Sequence, residues 1–154
     1  MQSQVTLDDE AATMRVGESI GRVLRGGDLV ELRGDVGAGK TTLTRAIARG
    51  MGIVDEPVQS PTFTLSRVYD SPSGLRLIHY DFYRLSEPGI MASELADAID
   101  DPQAVVIIEW ADAVEGVLPV ERTTIVLEAV SEQSRRLTML GAPTRLRACC
   151  GAVA

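Results

Sequence analysis

The sequence predicts an α/β fold in which helices cover both faces of a mixed central β-sheet. Three features of the chain support this prediction. A glycine-rich turn joins a short strand at residues 29–33 to a helix that begins at Lys40. An unbroken apolar run at residues 105–108 is typical of a strand that is buried on both faces of a sheet. A hairpin at residues 63–81 adds antiparallel pairing, which makes the sheet mixed.

The first half of the chain is predicted to alternate between helix and strand. Residues 8–24 are expected to form a helix, because an acidic first turn precedes an apolar face that includes Val16 and Ile20. The strand and the glycine-rich turn follow this helix. A second helix then runs over residues 40–51, and Gly52 ends it.

The second half of the chain is predicted to be mainly β. Pro88 is tolerated in the first turn of the one helix expected there. The whole chain, residues 1–154, is expected to be one domain whose tail frays after Pro143. The expected elements are strands at residues 63–69 and 75–81, a helix at residues 87–99, and strands at residues 105–108, 123–128 and 136–140.

The composition is that of a globular domain and disfavours several classes of protein. Hydrophobic residues make up 45% of the chain and charged residues 24%, which is an ordinary globular balance. A membrane span needs about 20 consecutive apolar residues, and the sequence has no such stretch. The start of the chain also lacks the pattern of a signal peptide, so we expect a cytoplasmic protein. The net charge of −7 disfavours direct binding of a nucleic acid, because phosphate contacts need clustered basic residues.

Residues 34–41, GDVGAGKT, match the phosphate-binding pattern G-x-x-x-x-G-K-[ST] at every position. The glycines let successive backbone N–H groups point inward around an anion, and the following helix adds its positive N-terminal end. Lys40 would place an ammonium group at the β- and γ-phosphates, and the Thr41 hydroxyl would bind Mg²⁺. Lys40 is also the only lysine of a chain that otherwise uses arginine. The alternative is a glycine-rich turn that binds nothing.

A nucleotide site with Mg²⁺ also needs a carboxylate near the end of a neighbouring strand, and the sequence offers two candidates. Glu109 directly follows the apolar run at residues 105–108; the alternative is a strand-end carboxylate that faces water. Asp81 ends the strand at residues 75–81; the alternative is a carboxylate that caps a turn or a helix. The expected base is adenine, because guanine-specific P-loop proteins typically use an Asn-Lys-x-Asp segment and this chain contains no asparagine.

Three further residues have two interpretations each. His79, the only histidine, fits a packed strand residue better than a catalyst, because no Ser, Cys or second His stands at a telling spacing. Trp110, the only tryptophan, follows Glu109 and fits either a core residue or a ring that faces a nucleotide or a partner. Thr62 lies in a proline-containing loop that could sense a γ-phosphate, although by itself the loop is an ordinary one.

Four segments carry a resemblance to a known family. They are GDVGAGKTT at residues 34–42, SPTFTL at residues 60–65, HYDFYRL at residues 79–85 and IEWA at residues 108–111. In this order they closely resemble the bacterial TsaE family, and the similarity extends from about Leu7 to Leu140. The last three segments are far more specific than the phosphate-binding loop alone.

The resemblance implies the three-layer sandwich fold of P-loop NTPases and a magnesium-dependent ATPase. Members of the family are needed to make threonylcarbamoyladenosine next to the anticodon of tRNAs that read codons beginning with A. They work with the TsaB–TsaD pair, in which TsaD transfers the threonylcarbamoyl group, and their own ATPase is weak without those partners. The implied cofactors are therefore ATP and Mg²⁺. The implied partners are TsaD and TsaB, and the chain would meet tRNA only through their complex.

The resemblance also implies a role for each matching position. Lys40 and Asp81 would be catalytic, with Asp81 orienting the attacking water. Thr41 and Glu109 would bind Mg²⁺, and Trp110 would lie beside the nucleotide at the face that meets TsaD. The implied nucleotide-binding positions are Glu10, Val36, Gly37, Ala38, Gly39, Lys40, Thr41, Thr42, Trp110 and, in a switch-like loop, Thr62.

Two other functions stay open. A small-molecule kinase would need a second substrate pocket and usually a mobile lid with arginines. Residues 85–121 contain neither lysine nor arginine, which weighs against such a lid. A non-catalytic assembly factor would use ATP only to gate its binding to a partner. A chain of 154 residues, which leaves little room for a separate substrate domain, is compatible with this role.

Overall fold

The computed structural model describes residues 2–54, 58 and 65–153, with residues 152 and 153 described by their backbone only. None of the helices in these ranges combines the length and the apolar character that a membrane span requires. The strands are β1 (Gln2–Leu7), β2 (Leu29–Arg33), β3 (Ser66–Asp70), β4 (Arg76–Asp81), β5 (Ala104–Glu109), β6 (Thr123–Ala129) and β7 (Arg135–Leu140). The helices are α1 (Glu10–Val23), α2 (Lys40–Gly50), α3 (Met91–Asp100) and α4 (Thr144–Arg147), with 3₁₀ helices at Ala111–Val117 and Ala148–Val153.

The strands of the described chain form one seven-stranded sheet in the order β1-β7-β6-β2-β5-β4-β3. In the centre, β2 pairs in parallel with both β5 and β6, and β4 pairs in parallel with β5. The β3–β4, β6–β7 and β1–β7 pairs are antiparallel. The predicted α/β fold with a mixed central sheet is therefore confirmed, including the hairpin formed by β3 and β4.

Alternate residues of the central strands face two separate cores. Val30 and Leu32 of β2 pack with apolar residues of α1 and α2. Val106 and Ile108 of β5 face the other way and pack with Leu95 of α3 and with the 3₁₀ helix Ala111–Val117. The helices thus form one layer on each face of the sheet, as the three-layer prediction requires.

Helix α1 packs closely on α2 because two glycines leave room for it. A Cβ atom on Gly17 would lie 2.4 Å from the Cβ of Ala46, and one on Gly21 would lie 2.1 Å from the carbonyl oxygen of Ile47. Any side chain at either position would force the helices apart. Since α2 directly follows the glycine-rich loop at residues 34–39, this contact supports the loop from behind.

The sheet buries a charge at Glu31, in the centre of β2. This residue is 3% exposed, and its carboxylate accepts hydrogen bonds from Arg33 Nε at 2.8 Å and from Arg122 Nε at 2.9 Å. Burial alone would raise the pKa of Glu31, but the two guanidinium groups outweigh burial and hold the pKa below its ordinary value. Arg122 also bonds Glu115 of the 3₁₀ helix at 2.7 Å. The ion cluster therefore ties that helix to β2.

Two parts of the fold differ from the sequence-based expectation. Strand β1 was not predicted, because only two of its six residues, Val5 and Leu7, are apolar and they give little hydrophobic signal; it is held by its pairing with β7. Helix α3 begins at Met91, four positions after the expected start at residue 87. The reason is Gly89, whose φ of +50° is incompatible with a right-handed helix.

The tail after Pro143 was expected to fray, but residues 144–151 pack onto the domain. Leu146 and Cys149 are 1% and 3% exposed and belong to the core beside α1. Arg145 makes two hydrogen bonds to the carboxylate of Asp28, at 2.8 and 2.7 Å, and a third to the carbonyl oxygen of Val23 at 2.9 Å. The expectation is corrected because these contacts join segments more than a hundred residues apart, which a local pattern does not reveal.

We predict that Leu146→Ala lowers the free energy of unfolding by about 2–5 kcal/mol, the usual cost of removing a buried leucine side chain. Urea denaturation followed by circular dichroism would measure it. Val120→Ala is the control, because Val120 is 94% exposed and should change stability by less than about 0.5 kcal/mol. Equal effects of the two substitutions would mean that the tail is not packed in solution.

Candidate functional site

The phosphate-binding loop predicted from the sequence lies between β2 and α2. Its Gly37 and Gly39 have φ angles of +85° and +103°, a region that residues with a side chain rarely adopt. A Cβ atom on Gly34 would lie 2.7 Å from the carbonyl oxygen of Leu127, so β6 also excludes a side chain there. Gly39 is the N-cap of α2 and has no side chain with which to cap it. No side chain of the described residues caps this helix start, and the positive N-terminal end of a helix favours an anion.

Lys40 lies in the loop with 7% of its surface exposed. Its ammonium group donates a hydrogen bond to the carbonyl oxygen of Gly34 and lies 3.8 Å from the centre of the Trp110 ring. Burial lowers the pKa of Lys40, and the carboxylates of Glu109, Asp81 and Asp35 oppose this shift. The carboxylates thus favour the charged ammonium at a position where burial disfavours it.

The two candidate carboxylates, Asp81 and Glu109, are direct neighbours. They are partners in the register of the parallel strands β4 and β5, both of which end there. The N–H of Phe82 donates to the carbonyl oxygen of Glu109 at 3.0 Å, which continues the pairing by one residue. Asp81 Oδ1 accepts a hydrogen bond from the N–H of Tyr83 at 3.0 Å. Asp81 thus caps a turn, which was the alternative interpretation of this residue. It also lies beside Glu109, as a site carboxylate would.

Glu109 does not face water. It is 3% exposed, and its Oε2 atom lies 2.6 Å from Nε2 of His79. His79 is itself fully buried, as expected for a packed strand residue, but the contact with Glu109 was not predicted. The water-facing alternative for Glu109 is therefore wrong.

Asp81 has an unusual electrostatic environment. Burial raises the pKa of its carboxyl group above the ordinary value, and the charge of Glu109 raises it further. The Tyr83 N–H, His79 and Lys40 act in the opposite direction without cancelling the shift. Such a carboxylate, held partly dry between charged groups, is typical of a functional site.

Trp110 has a strained backbone at the edge of the site. Its φ of +55° lies in the left-handed region, which is rare for a bulky residue and is found mostly at turns and functional sites. Its ring contacts the Lys40 ammonium and also meets the Tyr83 ring edge-on, with the ring centres 4.9 Å apart. Trp110 is therefore not a simple core residue.

These side chains surround one cavity of about 510 Å³ at the ends of β4 and β5. It brings together most of the positions selected from the sequence. Ala38 is an exception, because it is 3% exposed and packs in the core below the loop. The lining residues are Val36, Gly37, Gly39, Lys40, Thr41, Thr42, Leu65, Asp81, Tyr83, Arg84, Glu109, Trp110 and Arg135.

Of the remaining selected positions, the structure places Glu10 in a neighbouring cavity. Glu10, at the start of α1, lines an adjacent cavity of about 410 Å³ with Asp9 and Thr13. This second cavity shares Gly39, Thr42 and Arg135 with the first one, so the two adjoin along the start of α2. Thr62 and the rest of its loop at residues 60–64 lie outside the described residues.

Arg135 is a site residue that the sequence reading missed. Its Nε atom donates to the carbonyl oxygen of Ala38 at 3.0 Å, and Nη2 donates to that of Gly37 at 3.4 Å. Its Nη1 atom donates to carbonyl oxygens in the β6–β7 turn, including Ser131 and Ser134, both at 3.0 Å. Arg135 therefore joins the glycine-rich loop at residues 34–39 to the β6–β7 turn. Its separation from the loop, almost a hundred residues, left no local signal.

Comparison with known proteins identifies the family. The family model described as "Threonylcarbamoyl adenosine biosynthesis protein TsaE" matches residues 7–137. The chain belongs to the TsaE family. This result confirms the resemblance read from the four sequence segments.

Individual TsaE proteins and a solved structure agree with this assignment. The protein named "tRNA threonylcarbamoyladenosine biosynthesis protein TsaE" from Bacillus subtilis is 38% identical over 125 residues, which cover 80% of this chain and 76% of that protein. Its namesake from Streptomyces coelicolor is 35% identical over 131 residues, covering 82% and 88% of the two chains. The crystal structure of YdiB from Bacillus subtilis superposes with a TM-score of 0.77 at 30% identity, covering 99% of this chain and 94% of that one.

We predict that Asp81→Asn raises the free energy of unfolding at pH 7. Because burial raises the pKa of Asp81 in the folded chain, the stability contributed by its protonated form is lost as the pH rises through that pKa. Asparagine does not ionise and can still accept the Tyr83 hydrogen bond. The stability difference should therefore be largest at neutral pH and shrink as the pH falls toward 4.

Urea denaturation at several pH values between 4 and 8 would measure this difference. Asp97→Asn serves as the control, because it makes the same chemical change at an exposed residue of α3. A destabilising Asp81→Asn substitution at pH 7 would contradict the electrostatic reading of the site.

Proposed function

We propose that this member of the TsaE family is a magnesium-dependent ATPase that acts with TsaB and TsaD in the threonylcarbamoyladenosine modification of tRNA. The observation that carries the proposal is a single cavity lined by the phosphate-binding loop, by Lys40 and by two neighbouring carboxylates. The family assignment supports the biological role. The residue roles follow from the chemistry of the cavity.

The loop and Lys40 would hold the phosphates of ATP. The uncapped start of α2 supplies backbone N–H groups, and Lys40 supplies a charge that burial has partly stripped of water. A triphosphate would compensate this buried ammonium, and its presence should raise the pKa of Lys40. Both features favour a polyanion over a neutral ligand.

Thr41 and Glu109 would bind the magnesium ion that accompanies ATP. Both line the same cavity as the loop, and a hydroxyl with a carboxylate is a donor set that suits Mg²⁺. Magnesium bound with a nucleotide usually takes only one or two protein ligands, and phosphate oxygens and water complete its shell. When bound, the ion would neutralise charge on the phosphates. Asp81, next to Glu109, would orient or deprotonate the attacking water.

The second cavity is the proposed place for the base and ribose. It adjoins the phosphate-binding cavity along Gly39 and Thr42, and it contains Glu10. This position gives Glu10 a role near the nucleotide that does not require it to touch phosphate. Adenine is the expected base, since the chain has no asparagine for the segment that reads guanine.

The charge of the chain supports an indirect relation to tRNA. With a net charge of −7, the surface would on average repel a polyanion, so contact with tRNA is expected through the partner proteins.

Tyr83 and Val36, both at the cavity, are 59% and 78% exposed. This apolar rim is where a partner would sense the bound nucleotide. The reaction would take place in the cytoplasm.

The decisive experiment measures ATP hydrolysis by the purified chain, alone and then with purified TsaB and TsaD. We expect slow turnover that rises sharply with the pair and disappears in Lys40→Ala. That substitution removes a charge-assisted contact of about 1.5–3 kcal/mol and should weaken ATP binding by about 10- to 150-fold. Rapid ATP turnover that TsaB and TsaD do not change, or phosphate transfer to a small molecule, would favour a kinase.

The role of Asp81 predicts a different pattern in the same assay. Asp81→Asn should keep ATP affinity within about threefold and lower turnover by about 10²- to 10⁴-fold, the usual effect of losing a general base. Binding is measured by titration calorimetry with ATP and Mg²⁺. Unchanged turnover in Asp81→Asn would exclude this role. If the unsubstituted chain binds ATP with TsaB and TsaD but never hydrolyses it, ATP only gates the assembly.

A further inference from the structure

The most unusual buried contact in the described chain joins His79 to Glu109. Strand β4 contributes His79, which is fully buried, and the adjacent parallel strand β5 contributes Glu109, which is 3% exposed. The Nε2 and Oε2 atoms lie only 2.6 Å apart. Because the carboxylate accepts, the ring nitrogen must carry the shared proton. A contact this short between two buried groups holds both side chains in one orientation.

The register of the strands explains why these two residues meet. His79 is paired with Ile107, and Asp81 is paired with Glu109. Residues two apart on a strand point to the same face, so His79 stands diagonally behind Glu109 and below Asp81. Glu109 lines the cavity, whereas His79 does not. The imidazole therefore acts on the cavity only through the carboxylate.

The other ring nitrogen of His79 makes no such contact with the part of the chain that the structure describes. Nδ1 of His79 is buried and has no hydrogen-bond partner among the described residues. The contact with Glu109 at Nε2 is therefore the hydrogen bond that holds this ring.

We propose that His79 is a positioning residue that fixes the Glu109 carboxylate for the magnesium ion of a bound nucleotide. The inference rests on the proposed function, because it assumes that ATP and Mg²⁺ occupy the cavity. A free carboxylate could rotate toward the nearby Lys40 ammonium, whose charge it feels. The hydrogen bond from His79 opposes that rotation. Partners of this kind commonly change metal affinity by about 10- to 100-fold.

The test compares three substitutions at His79. Gln carries an amide nitrogen at the same number of bonds from the backbone as Nε2 and can restore the donor. Leu keeps the bulk and removes the donor. Asn places its amide nitrogen at the Nδ1 position and is too short to reach Glu109.

The emission of Trp110, the only tryptophan, reports nucleotide binding because its ring lines the cavity. Each variant is titrated with ATP in EDTA, and then with Mg²⁺ at saturating ATP. In EDTA we expect His79→Leu to bind ATP within about twofold of the unsubstituted chain. Its Mg²⁺ titration should shift to concentrations about tenfold higher or more. His79→Gln should shift by less than threefold, and His79→Asn should behave like His79→Leu.

Each outcome has one meaning. A Mg²⁺ titration that is the same in His79→Leu, His79→Asn and the unsubstituted chain overturns the positioning role and leaves the proposed function intact. Failure of the unsubstituted chain to bind ATP with or without Mg²⁺ overturns the proposed function, and with it this inference. If His79→Leu does not fold, as judged by circular dichroism, the Gln–Asn pair decides. Equal Mg²⁺ affinity in that pair overturns the positioning role.

Discussion

The parallel pairing of β2, β5 and β4 is the constraint on which the site depends. Parallel strands all end at the same edge of a sheet, so the loop after β2, Glu109 after β5 and Asp81 after β4 must meet there. No single segment of the chain contains the cavity. The close packing of α1 on α2 then keeps the loop at that edge, because the glycines of α1 allow no gap between the helices.

The sheet buries one carboxylate on each of its two faces, and different partners stabilise the two charges. Glu31 is surrounded by guanidinium groups and its pKa is lowered, so it behaves as a permanent anion that holds the 3₁₀ helix Ala111–Val117. Glu109 is paired with an imidazole instead, beside a cavity. The guanidinium groups occupy both oxygen atoms of Glu31, so its role is structural. Glu109 is held by His79 on one side and can still bind a further ligand. Asp81, with its raised pKa, belongs to the second kind.

Much of the fold could be predicted because its signals are local. Strand β2, the loop and α2 follow from glycine spacing and apolar periodicity within about twenty residues, and β5 follows from one uninterrupted apolar run. The predictions failed where distant segments decide the outcome. Strand β1 exists through its pairing with β7, and the tail from residue 144 is held by Asp28 and by the core beside α1. Neither of these contacts can be inferred from residues that are close together in the sequence.

The functional groups of the chain were evident from its sequence: the loop that matches the phosphate-binding pattern, the single lysine, the two carboxylates and the family motifs. These depend on residue type and short spacing, which the primary structure contains in full. The folded chain was needed to show that Glu109 is buried and contacts His79, that Asp81 lies beside it, and that Arg135 binds the loop. The physical reason is that burial and partner choice are set by strand register and helix packing. Those are properties of the whole folded chain rather than of any segment.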